Sequence, residues 1–246
     1  MDVVGVIPAR YQSKRLPFKL LRKLKGKPLI QWTWENASKA RILDKLIIAC
    51  DDTKIEEQAL GFGAEVVLTS TQHSCGTDRI AEAVKEIETK IIINIQADEP
   101  LICASTIDSL AQEMLNNPTL DMATVRVRIS DEEDLNNPNT VKVVCDKDGF
   151  ALYFSRSTIP CYRQKDNASL TYKHLGIYAY TKSFLYTFGN LPFSYLEKAE
   201  KLEQLRVLEA GYKIKVIETE FDSPGVDTEE DFQKVERILE EKSFAQ

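Results

Sequence analysis

The sequence has no acidic residue between Asp2 and Glu35, yet the chain as a whole carries a net charge of −6. It has no C-x-x-C pair either. Its five cysteines, Cys50, Cys75, Cys103, Cys145 and Cys161, are scattered and odd in number, which argues against a zinc site or a disulfide framework. No apolar run approaches the ~18 residues that a membrane span needs. The N-terminus lacks the charged start and long apolar core of a signal peptide, so a cytoplasmic location is expected. Neither G-x-x-x-x-G-K nor G-x-G-x-x-G occurs, which removes the Walker loop and the dinucleotide fingerprint. Internal repeats, linkers and low-complexity tracts are also missing, and residues 1–246 read as one domain.

The acid-free stretch is rich in positive charge: Arg10, Lys14, Arg15, Lys19, Arg22, Lys23, Lys25 and Lys27. It follows an apolar run at residues 3–7 that reads as a buried strand ended by Pro8. A cationic loop leaving the carboxyl end of such a strand is where α/β proteins hold phosphates. The acidic balance of the whole chain favours a small phosphorylated ligand over nucleic acid. An ordinary solvated basic loop is the plain alternative.

Strand-like runs at residues 45–50, 64–68, 91–95 and 122–127 alternate with amphipathic helices, which predicts a mostly parallel sheet flanked by helices. Thr53 with Glu56 and Ser105 with Asp108 have the spacing of capping boxes. The rhythm changes after about residue 128. A hairpin is predicted around Asp146–Gly149, a strand over 174–181, and one helix from Ser194 to Gly211 carrying Leu196, Ala199, Leu202, Leu205 and Leu208. The expected fold is therefore α/β with a mixed-sheet insertion at approximately residues 129–195.

Two further constellations could carry chemistry. Residues 91–100 end an apolar strand in Asp98 and Glu99, and a carboxylate there is costly unless paired or cation-bound. A Mg²⁺ ligand and a self-bonded Asx turn both account for Asp98. At Gly225-Val226-Asp227-Thr228, Asp227 reads either as a helix N-cap or, if Thr228 caps with Asp231, as a free carboxylate able to share a cation with Asp98.

These residues resemble the 3-deoxy-manno-octulosonate cytidylyltransferase (CMP-KDO synthetase) family. I-P-A-R-x-x-S-x-R-L-P-x-K lies at residues 7–19, G-T-[DE]-R at 76–79 and N-I-Q-x-D-E-P at 94–100. Then come N-P-x-x-V-K-V-V at 137–144, A-L-Y-F-S-R at 151–156, H-L-G-I-Y at 174–178, L-E-Q-L-R at 202–206 and G-V-D-T at 225–228. Eight collinear matches span nearly the whole chain.

The resemblance implies a nucleotide-diphospho-sugar transferase-like fold. It implies transfer of CMP from CTP to the anomeric 2-hydroxyl of 3-deoxy-D-manno-octulosonate, releasing pyrophosphate, for lipopolysaccharide synthesis. It places Pro8, Ala9, Arg10, Ser13, Arg15, Lys19, Thr71, Gly76 and Gln96 around CTP, and Asp98 and Asp227 on Mg²⁺, with Arg10, Lys19, Asp98 and Asp227 as the catalytic set. Arg156, His174, Tyr178, Glu200, Glu203 and Gln204 would line the pocket for the acidic sugar. A homodimer is expected. From the residues alone, His174 reads as a structural histidine, Tyr178 as core, and Glu200 and Glu203 as a solvated face paired with lysines. An amino-KDO or other nonulosonic acid as substrate, and a nucleotide-binding module without catalysis, are the competing readings. The family commonly has Gly where this chain has Phe18, and Gly where it has Ala97.

Overall fold

The structure is a computed structural model, and it describes residues 1–13, 15–73, 75–164 and 170–244. Lys14 of the basic loop, Ser74, and residues 165–169 of the expected insertion lie outside the described residues. The chain forms two compact units, one of Met1–Ser109 with Asp222–Gln246 and one of Leu110–Phe221.

The first unit is built on β1 (Val3–Ala9), a two-residue hairpin of β2 (Lys23–Leu24) and β3 (Lys27–Pro28), β4 (Lys45–Cys50), β5 (Glu65–Leu68) and β6 (Ile91–Asn94). Helices α1 (Leu29–Ala37), α2 (Thr53–Gly61), α3 (Gly76–Ala83) and the C-terminal helix (Glu229–Phe244) accompany them. β1 pairs in parallel with β4 and β6, and β4 pairs in parallel with β5. Val3, Val4, Val6, Ile7, Ile47, Ile48, Ile92 and Ile93 have no exposed surface, which explains the unbroken apolar runs. Gly5 is required by packing, because a Cβ there would lie 2.9 Å from Leu46 Cδ1.

The strand order reverses beside β1. The chain goes from β1 to β4 and β5 on one side, then returns to place β6 on the other. In open α/β sheets, the carboxyl ends of strands at such a reversal form the ligand crevice. The basic loop leaves β1 there, and the Asp98 segment leaves β6.

β1 does not stop at Pro8; it runs on to Ala9. The Val6 carbonyl accepts from Ile95 N, so even-numbered residues of β1 face β6, whose pairing ends at Asn94 opposite Val6. Pro8's missing N–H therefore falls past the last β6 pair, where no ladder bond is lost. Two of the expected caps also differ. Asp52, not Thr53, caps α2 by accepting from Lys54 N. Ser105 lies inside α4 (Ala104–Asn116), and Asp108 accepts instead from Ile42 N.

The second unit holds β7 (Met122–Arg128), β8 (Lys142–Cys145), β9 (Ala151–Ser155), β10 (Tyr172–Thr181) and β11 (Lys215–Thr219). β11 is parallel to β7, while β7–β10, β10–β8 and β8–β9 are antiparallel, so the sheet is mixed. Gly149 takes φ +79° in the β8–β9 hairpin. The single helix expected after Ser194 is two: Tyr195–Glu200 and Gln204–Glu209. Lys201 sits between them in the left-handed region at φ 57°, a break that apolar periodicity does not register. The Ser194–Glu197 capping box is present.

Candidate active site

In the first unit, Lys19 Nζ lies 2.6 Å from Asp98 Oδ2 and 2.9 Å from Asp227 Oδ1. Arg15 Nη2 donates to the other Asp227 oxygen at 2.7 Å. The two carboxylates are 129 positions apart in sequence (227 − 98) and converge on one ammonium. Val226 N donates to the Asp98 carbonyl at 2.9 Å and clips the two segments together. Asp98 thus spends its carboxylate on a cation rather than on an Asx turn. Asp227 is not the helix cap. Thr228 and Asp231 exchange bonds, Thr228 Oγ1 accepting from Asp231 N and Asp231 Oδ2 accepting from Thr228 N, which leaves Asp227 outside the helix.

The Lys19 side chain is only 10% exposed, against 28% for Asp98 and 45% for Asp227. Burial works against its charge, but Asp98 and Asp227 outweigh it and raise the pKa of the ammonium. The residues also suit a divalent ion. Mg²⁺ takes hard oxygen ligands, using one or two protein carboxylates and drawing the rest from phosphate and water. Two such oxygens already meet around a positive charge here. Among the described residues no group of three or more His, Cys, Asp or Glu could hold a metal, so other ligands would have to come from substrate and solvent.

Around this cluster, Arg10 Nη2 donates to the His73 carbonyl at 2.7 Å, and Tyr11 N donates to Asp51 Oδ1 at 2.9 Å. A Cβ on Gly76 would lie 3.4 Å from Pro8 Cγ, so the start of α3 is packed against the end of β1. Gln96 Nε2 donates to Asn94 Oδ1, Ser13 is half-buried and Thr71 exposed, while Ala9 lies in the core. Arg22 forms a two-bond pair with Glu229, Lys27 pairs with Glu35, and Lys25 pairs with Glu240, so these bases of the stretch serve structure.

In the second unit, Glu200 accepts from Ser155 Oγ at 2.7 Å and from Arg156 N at 3.0 Å. Arg156 returns Nε to the Glu200 carbonyl and Nη1 to the Pro138 carbonyl. Arg156 and Glu200 are therefore brought together, and Glu200 does not form the lysine-paired solvated face. His174 is 8% exposed, with its ring 4.9 Å from Phe154 and 5.3 Å from Tyr178. Burial pushes its pKa down to about 3, so it is neutral. The Thr124 hydroxyl gives its proton to a carbonyl, that of Ile177 lying at 2.7 Å, and so accepts from His174 Nε2–H at 2.9 Å. That fixes the tautomer, with Nδ1 as acceptor. Glu203 and Gln204 begin the Gln204–Glu209 helix, the first half-buried and the second buried.

The description "Cytidylyltransferase" belongs to the family model that matches residues 4–214. A 3-deoxy-manno-octulosonate cytidylyltransferase of Geobacter sulfurreducens is 45% identical over 96% of this chain and 98% of its own length. One from Fusobacterium nucleatum subsp. nucleatum is 45% identical over 99% of each chain. The chain belongs to the 3-deoxy-manno-octulosonate cytidylyltransferase family. A solved structure of CMP:2-keto-3-deoxy-manno-octonic acid synthetase complexed with CTP superposes with a TM-score of 0.92 at 40% identity, covering 98% of this chain and all of that one.

One of the two departures from the family pattern finds a physical account. Phe18 does take the left-handed conformation that Gly would supply, at φ 54° and ψ 29°. Its ring packs 4.8 Å from Tyr11, over which Lys54 also sits. Ala97 is buried and its carbonyl accepts from Thr33 Oγ1 at 3.0 Å, a bond that glycine would make equally, so nothing in the structure explains that substitution. Sequence reading missed the residues that hold the site in place. Arg79, without exposed surface, pairs with Asp51, and Glu197 and Arg206 form a buried two-bond pair. Arg79 ends the G-T-[DE]-R motif at residues 76–79, but nothing local names its partner.

Proposed function

We propose that this chain transfers the CMP moiety of CTP to the anomeric 2-hydroxyl of 3-deoxy-D-manno-octulosonate, releasing pyrophosphate. The observation that carries this reading is the meeting of Asp98 and Asp227 on Lys19, in a chain alike over its whole length to cytidylyltransferases of that sugar. Asp98 and Asp227 would hold Mg²⁺. When bound there, the ion would supply charge withdrawal from the α-phosphate oxygens and a lower pKa for the attacking hydroxyl.

Lys19 and Arg15 now neutralise the carboxylates that a metal would occupy. On nucleotide binding they are free to turn from carboxylate to phosphate, since both are cations on the loop that leaves β1. Arg10, Arg15 and Lys19 then offset charge growing on the departing pyrophosphate, and Ser13 and main-chain N–H groups orient it. Pro8, Ala9, Thr71, Gly76 and Gln96 would surround the cytidine. Arg156 suits the sugar carboxylate and Glu200, Glu203 and Gln204 its hydroxyls, with neutral His174 and Tyr178 shaping the pocket. In-line transfer relies on positioning and charge, so no general base is required of these side chains.

A homodimer and a cytoplasmic place in lipopolysaccharide synthesis complete the reading. Leu152, 62% exposed on β9, is a candidate for contact between copies. The test is pyrophosphate release from CTP and Mg²⁺ across a panel of acidic sugars. Release with 3-deoxy-D-manno-octulosonate is expected. Release only with another acidic sugar overturns the substrate, and release with none overturns the enzyme reading.

A further inference from the structure

Arg79 has no exposed surface, yet its guanidinium reaches two segments of the first unit and, through Asp51, a third. Nη2 donates to Asp51 Oδ2 at 2.9 Å, just past the end of β4. Nη1 donates to Thr69 Oγ1 at 2.5 Å and faces the Ser70 carbonyl at 3.4 Å, just past the end of β5. The other Asp51 oxygen accepts from Tyr11 N, at the head of the basic loop. Thr69 is in turn bound back to the Cys50 carbonyl through both its N and its hydroxyl. One buried ion pair therefore ties the loop at residues 10–11 to the segment at residues 69–73.

A second tie joins the same two segments, but it is of another kind. Arg10 Nη2 donates to the His73 carbonyl on the exposed surface. If Arg10 takes a phosphate, that bond is given up when nucleotide arrives. The buried pair involves no group that a nucleotide would claim, so it persists. Nor does the pair serve stability well. Arg79 Nε is buried without a hydrogen-bond partner, and desolvating a guanidinium for so few bonds is often no better than a packed apolar side chain.

We infer that Asp51 and Arg79 are positioning residues that hold the base-binding segment, residues 69–73, in register with the triphosphate loop. Neither touches substrate. This rests on the reading that the first segment takes cytidine and the loop takes the triphosphate. The pair's contribution is then felt only by a ligand that spans both, as CTP does. A ligand confined to the loop, such as inorganic tripolyphosphate, is indifferent to it.

The experiment measures binding of CTP and of inorganic tripolyphosphate by calorimetry to wild type, Arg79→Met and Asp51→Asn. Arg79→Met removes the charge and keeps the length; Asp51→Asn keeps an acceptor for Tyr11 N and loses the charge pairing. In both variants CTP affinity should fall about tenfold, a middle value for side chains sharing one network. Tripolyphosphate affinity should stay within about twofold, and KM for the sugar at saturating CTP should not move. Circular dichroism checks folding, and Asp51→Asn decides the matter if Arg79→Met does not fold. CTP affinity unchanged in a folded variant overturns the inference. So does an equal loss for CTP and tripolyphosphate, which is what a merely structural role gives. Wild type that binds CTP but not tripolyphosphate overturns the loop assignment itself, and the inference with it.

Discussion

The charged cluster of the first unit and the candidate sugar residues of the second are built on opposite plans. Asp98, Asp227, Lys19 and Arg15 are bonded mainly to one another, charge to charge, through side chains that are partly open to solvent except that of the buried Lys19. Each could exchange its partner for a ligand of the same sign without disturbing the backbone. Glu200 and Arg156 are instead tied to main-chain groups of Arg156, Glu200 and Pro138, and His174 to a buried threonine. Removing one of those leaves a backbone or buried group without its partner. The first region should therefore respond to mutation in activity, and the second in stability as well.

The largest effect is expected at Asp98. Asp98→Asn should lower kcat by roughly a thousandfold, the scale of losing one pre-arranged electrostatic group. Lys19 keeps Asp227 in that variant, so the urea midpoint should hardly move. Equal losses of stability in Asp98→Asn and Glu200→Ala would break the contrast between the regions. Lys19→Met should reduce kcat/KM for CTP by about a hundredfold, as removal of one partner from a close charge pair does. The effect should fall on the CTP dependence and leave KM for the sugar alone.

Glu200→Ala strands Ser155 Oγ and Arg156 N–H, and should cost about 2 kcal/mol of stability by urea denaturation. Glu200→Gln retains an acceptor and should cost less. A raised sugar KM in Glu200→Gln, without loss of stability, would show that Glu200 also meets substrate.

What could be read beforehand in these two regions follows the range of each interaction. Thr228 with Asp231, and Ser194 with Glu197, are three residues apart, and both capping boxes form. The apolar runs that become β1, β4 and β6 are legible because strands buried on both faces need no alternation. Asp51 with Arg79 spans 28 positions, and Glu197 with Arg206 spans nine across a break, so no local pattern announces either. The left-handed turn at Lys201 was illegible for another reason. An apolar stripe continues in register through it, from Leu196 to Leu205, whether the backbone is one helix or two.

His174 gives a smaller effect with a definite sign. Its pKa is lowered to about 3 by burial, below the ~6.5 of an unfolded histidine. Below pH ~6.5 the unfolded chain takes up a proton that the native state refuses, so native stability falls with pH, by at most about 1.4 kcal/mol per unit. Above pH ~6.5 this contribution is flat. Urea titrations at pH 7, 6 and 5 on wild type and His174→Gln check it. The difference between the two should shrink as pH falls, because the variant lacks the penalty. A constant difference would mean that His174 protonates in place.

The smallest effect is expected at Phe18, where two opposing contributions meet. A left-handed non-glycine residue costs about 1–2 kcal/mol, which Phe18→Gly would relieve. The same change removes the ring contact with Tyr11, worth about 0.5–1.5 kcal/mol. It also adds about 0.5–1 kcal/mol of backbone entropy to be lost on folding. The sums nearly cancel, so the urea midpoint should correspond to a change within about 0.5 kcal/mol. Stability alone would make the substitution silent. Lys19, however, follows Phe18 directly and reaches both Asp98 and Asp227 from there. Because Phe18 already holds the φ that glycine would use, the variant should leave KM for CTP within about twofold. A much larger shift would mean that the Tyr11–Phe18 contact, and not the backbone conformation, sets the reach of Lys19.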